Sequence, residues 1–170
     1  MVEISYNTVM DVVTSWDRLK AIPNYQDKTG NLILERLFEL EPASRAVFGL
    51  SCPSSSSSLS HSSSSSLQTS DLLNDPKIAV HAIQMVEMMD CAIALLGPDL
   101  DDLKHDLARL GRRHVQYGVK PRFLPVMESA VVYALEEMLD DKFTRNDRRS
   151  WQQVFYFMVS HMTEGMSSSK

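Results

Sequence analysis

The chain has 170 residues, 44% of them hydrophobic, and a formal net charge of −5. That length fits one domain with enough apolar content for a core, and its mild acidity argues against a nucleic-acid partner, which calls for a basic face. Two cysteines, Cys52 and Cys91, imply no disulfide framework. No apolar run reaches the roughly 18 residues of a membrane span. The opening MVEISYN lacks a leader's basic-then-apolar pattern and has no Gly at position 2 for myristoylation. A soluble cytoplasmic protein is expected.

In chain order, Val9, Val12, Val13, Trp16 and Leu19 recur at helical spacing, so a helix is predicted over residues 5–22, ended by Pro23. Leu32, Ile33, Leu37 and Phe38 predict a second over 27–40, and Pro42 to Val47 a short helical turn running into Phe48. Residues 51–70, SCPSSSSSLSHSSSSSLQTS, change the composition. Serine runs bury too little apolar area to offset the entropy of ordering them, so a flexible loop is expected. It marks no domain boundary, because the preceding segment is too short to hold a good core alone.

Asn74 or Asp75 can cap the next helix, with Pro76 in its first turn and Gly97-Pro98 as its break. Another is predicted over 99–115, and one from Lys120-Pro121 with Phe123, Val126, Met127, Val131, Val132, Leu135 and Leu139 as its buried set. Thr144 with Asp147 resembles a capping box, opening a last helix that buries Trp151, Val154, Phe155, Met158, Val159 and Met162. The tail from Gly165, GMSSSK, is expected to fray. Sustained alternation of the strand type is absent, so the chain reads as all-α with seven or eight helices.

Two of these helices each carry one histidine in an apolar setting. In LKHDLARLGRRHVQYGV, Leu103, Leu107, Leu110 and His114 share a face at steps of four, three and four, Gly111 lies on another side, and Gly118 marks a stop. In HAIQMVEMMD, His81, Met85, Met88 and Ala92 repeat that spacing. An unpaired buried imidazole costs roughly 1–3 kcal/mol, so each needs a partner. Three arrangements satisfy this spacing: two core histidines with unrelated partners, a zinc site, or a flat hydrophobic prosthetic group whose metal takes neutral imidazole.

Four stretches carry a resemblance that selects among them. ERLFELEPASRAVF (35–48), HAIQMVEMMD (81–90), LARLGRRHVQYGVK (107–120) and ESAVVYALEEML with RRSWQQVF (128–139, 148–155) resemble the globin family, its neuroglobin branch most closely. The resemblance spans nearly the whole chain outside the serine loop, with Trp16, Phe48, His81 and His114 in the family's order. It implies a globin fold around haem b, bound noncovalently since C-x-x-C-H is absent. It implies His114 as the proximal iron ligand, with its second ring nitrogen bonded to the carbonyl of Leu110, and His81 as the distal histidine, closing on the iron when no gas is bound. Leu34 and Met85 would wall the distal pocket; Phe48, Leu110, Val119, Phe123 and Val126 would pack on the porphyrin.

The chain also departs from the neuroglobin pattern. Gln84 replaces the lysine three residues after the distal histidine, which leaves Arg113 to meet a haem propionate. Leu34 replaces the phenylalanine of the second helix and leaves more room above the iron. Cys52 alone lies in the region where neuroglobins carry a cysteine pair, since Cys91 falls on the distal helix. The function implied is reversible binding of oxygen, nitric oxide or carbon monoxide for storage or sensing rather than enzymatic turnover. The rival on the same pocket is nitric-oxide dioxygenation or nitrite reduction. That reading needs an external reductant, because no G-x-G-x-x-G motif offers a nucleotide site. A haem-free helical interaction protein is the third reading.

Overall fold

The computed structural model describes residues 4–50, 74–97 and 100–168. The serine-rich stretch 51–70 and Cys52 lie outside the described residues. Among the described residues the α-helices are α1 Tyr6–Lys20, α2 Tyr25–Leu40, α3 Pro76–Ala94, α4 Leu100–Gln116, α5 Phe123–Leu139 and α6 Arg145–Ser167, with 3-10 helices at Pro42–Phe48 and Asp140–Lys142. The described residues contain no strand.

Local chemistry sets the helix ends. Asp75 accepts from the backbone N–H of Lys77 at 2.8 Å and Pro76 opens α3. The capping box of α6 is complete: Thr144 Oγ1 accepts from the Asp147 N–H at 3.1 Å, and Asp147 accepts from the Thr144 N–H at 2.8 Å. After α4, Gly118 takes a positive φ of 81°. The Gly118 N–H then donates to the Val115 carbonyl, and the Val119 N–H to that of His114. α5 begins at Phe123, two residues after Pro121.

The core lies where α1, α2, α5 and α6 meet. α1 packs on α6, and α2 on both α3 and α5. The two tryptophans, both essentially inaccessible, touch there with ring centroids 5.7 Å apart. The Trp151 indole N–H donates to Ser15 Oγ at 2.8 Å, and that of Trp16 to Asp90 at 2.8 Å, which ties α1 to α3. Each buried indole N–H thus has a partner, as buried polar groups require. Of the predicted buried sets, Val126, Met127, Val159 and Met162 are only half-buried.

The tail departs from expectation. α6 runs on to Ser167, and Gly165 and Met166 are buried rather than frayed. The cause is a close approach. A Cβ built on Gly165 would stand 2.7 Å from the Ala108 Cα of α4, so only glycine lets the two backbones meet there. α4 is held principally by α6 and makes no comparable packing with α3 or α5 among the described residues.

Candidate functional site

α3 and α4 each present a histidine, and the two helices rest on different supports, α3 on α2 and α4 on α6. His81 lies in the second turn of α3 and His114 in the last turn of α4. Both are half-buried.

The His114 ring is fixed by its own helix. Nδ1 lies 2.8 Å from the carbonyl oxygen of Leu110. A carbonyl oxygen only accepts, so Nδ1 carries the proton and donates, and Nε2 keeps its lone pair. That tautomer is the one a metal needs from a neutral imidazole.

His81 has a different setting. Among the described residues its ring nitrogens take no hydrogen bond, and its contact is with an aromatic edge. The Phe48 ring stands 5.2 Å away, centroid to centroid, and steeply inclined. Phe48 in turn meets Phe38 at 5.4 Å. Behind them the Arg45 guanidinium lies 5.8 Å from the centre of the Phe38 ring, within cation–π reach. Burial, and after it the nearby His114, hold the His81 imidazole below its usual range, which keeps it neutral.

The remaining predicted residues divide by burial. Met85, Leu110, Val119 and Val126 are half-buried, as is Phe48, whereas Phe123 is buried at 6% exposure with the Arg122 guanidinium 5.3 Å from its ring centre. Leu34 is fully buried within the core cluster, and Met85 and Val126 pack against that cluster. Gln84 and Arg113 are exposed.

These residues fit a flat apolar group bearing a metal. Two imidazoles sit on helices that, among the described residues, pack principally on other partners, one with its lone pair assigned by a hydrogen bond, and half-buried apolar side chains accompany them. Covering that surface contributes about 25 cal/mol per Å². A zinc site fits less well, because the described residues hold no group of three or more His, Cys, Asp and Glu side chains. Missed by the sequence reading were Gly165 and the Gly30–Ala82 contact. A Cβ on Gly30 would come 2.5 Å from the Ala82 carbonyl oxygen, on the residue next to His81. Glycines at those positions were the only local signal.

With this geometry, comparison with known proteins identifies the class. The Globin family model matches residues 31–162, and the chain belongs to the globin family. Within it the chain is similar to neuroglobins. It is 27% identical to the neuroglobin of Tetraodon nigroviridis over 157 residues, 91% of this chain and 87% of that protein. It is 26% identical to the neuroglobin of Danio rerio over the same shares. The crystal structure of a hexacoordinated heme protein from an anhydrobiotic tardigrade at pH 4 matches with a TM-score of 0.79, covering 98% of this chain and 97% of that one. At 22% identity this last likeness concerns the fold. Among the described residues no helix is long and apolar enough to cross a membrane.

Proposed function

We propose that the chain is one globin domain that holds haem b between α3 and α4 and reversibly binds oxygen, nitric oxide and carbon monoxide. His114 serves as the permanent iron ligand and His81 as a ligand that gases displace. The observation that carries this reading is the contrast between the two rings. The proximal ring is locked in one tautomer by Leu110 at 2.8 Å, and the distal ring is held by no hydrogen bond among the described residues. The neighbouring hexacoordinated heme protein and the neuroglobin relatives support the same assignment.

Haem, held by His114 and His81, would supply an iron able to bind imidazole nitrogen and diatomic gases. Leu110 orients the His114 ring and keeps its Nε2 basic. Phe48, Met85, Leu110, Val119, Phe123 and Val126 take the apolar faces and exclude water. Arg113, exposed near the end of α4, would meet a propionate. With His81 as a competing ligand, apparent gas affinity would fall by the fraction of protein in the open form.

The deciding measurement is the ferrous, gas-free visible spectrum of wild type against His81→Leu. Sharp low-spin bands that the substitution converts to a broad high-spin band are expected. A high-spin ferrous wild type would refute the closure and leave His81 as a hydrogen-bond donor to bound gas.

A further inference from the structure

The last helix reaches the proximal ligand through backbone contact. A Cβ on Gly165 would lie 2.6 Å from the Ala108 carbonyl carbon, and one on Gly111 would lie 2.9 Å from the Met162 carbonyl carbon and 3.1 Å from its Cα. The obstacles are backbone atoms, which no rotamer change can clear. The two contacts share one antiparallel register: residue 108 faces 165 and residue 111 faces 162. α4 and α6 therefore meet backbone to backbone at two points, and no other described helix packs as extensively on α4. His114 follows Gly111 by three residues, and its ring is tied to the same helix through Leu110. An uninterrupted chain of close contacts thus runs from Gly165, through α4, to His114 Nε2.

We propose that Gly165 is a positioning residue for the proximal ligand. By admitting the α4 backbone against α6, it sets where His114 stands in the haem slot. The proposal rests on the haem reading above. A side chain at 165 would push α4 off α6 and carry His114 with it, because among the described residues α4 has no second anchor of comparable strength.

Two readouts test it. In the haem-free protein, Gly165→Ala should speed hydrogen exchange of the amides of residues 107–114 by about tenfold while α5 amides keep their rates. Val154→Ala serves as the control. Val154 is buried in the same helix away from the clamp, so its loss costs packing without moving α4. In the haem-loaded protein, with His81→Leu added so that one imidazole remains on the iron, Gly165→Ala should shift the iron–histidine stretching band in resonance Raman and Val154→Ala should not. Identical exchange patterns and identical stretching bands in the two variants would overturn the proposal.

Should Gly165→Ala fail to fold, wild-type exchange decides. Amides of α4 and of the last turn of α6 should open as one unit, and independent opening of α4 would refute the clamp. A wild type that takes up no haem would overturn the reading of the site and Gly165's role in it, whereas normal haem uptake with an insensitive α4 would overturn the clamp alone.

Discussion

The distal and proximal helices are anchored by the same device in different places. Each meets its supporting helix through a glycine, α3 at Gly30 beside His81 and α4 at Gly111 and Gly165 before His114. The distal support, α2, is itself packed on α5 and sits in the core. The proximal support is the terminal helix, clamped near its end. The rings differ in the opposite sense: His114 is held by a hydrogen bond, while among the described residues His81 takes none and abuts Phe48. A ligand that never leaves needs a fixed ring. A ligand that must swing aside needs a firmly seated helix and a loosely held ring, and on the proposed reading His114 and His81 would divide these roles.

The largest effect expected from breaking this comparison is at the proximal ring. His114→Ala should abolish the Soret band per mole of protein, while His81→Leu should retain haem. Equal haem content in the two variants would erase the distinction. Next comes the distal anchor. Gly30→Ala forces a Cβ against the Ala82 carbonyl, so chemical denaturation should show a stability loss at or above the ~1–3 kcal/mol of an overpacked core. Gly49→Ala, whose Cβ would meet open space at a φ of 73°, should cost only the left-handed penalty, about 1 kcal/mol.

A smaller loss follows from uncapping α3. Asp75→Ala should cost about 1 kcal/mol by removing the bond to the Lys77 N–H. It should leave α4 exchange rates unchanged, since α4 rests on α6.

The smallest effect is acid sensitivity in the haem-free protein. Burial lowers the folded pKa of His81 below its unfolded value near 6.5, so between those two values the unfolded chain binds more protons. Stability is therefore full above pH 6.5 and declines as pH falls through that window. His81→Leu should flatten this limb of the urea-midpoint profile against pH, and an unchanged limb would place the acid sensitivity elsewhere.

Most helices were legible locally because their signals are local. Pro76 after Asp75, Thr144 before Asp147, and Gly118 after His114 each act within one turn, and each performs the predicted role. The Leu110 bond followed from the family resemblance and the four-residue step to His114. The end of α6 did not follow, because GMSSSK has the composition of a frayed tail. Gly165 is ordered by Ala108, 57 residues away in sequence, and nothing in its neighbourhood encodes that meeting. Leu34 is fully buried where α2 packs on α3 and α5 at once. The full-length roles of the site residues depend on which helices stay apart, a property of the tertiary arrangement rather than of any one segment.

The paired tryptophans also make the protein its own optical gauge. Trp16 and Trp151 are the chain's two tryptophans, shielded from solvent and in contact, so their emission reports a single locality, the joint of α1 and α6. Haem absorbs where indole emits, so loading should darken that emission by energy transfer, and release should restore it while the joint stays closed. Unfolding should instead move the emission to the red as water reaches the rings. One fluorometer trace can therefore separate departure of the cofactor from collapse of the scaffold, with no label attached.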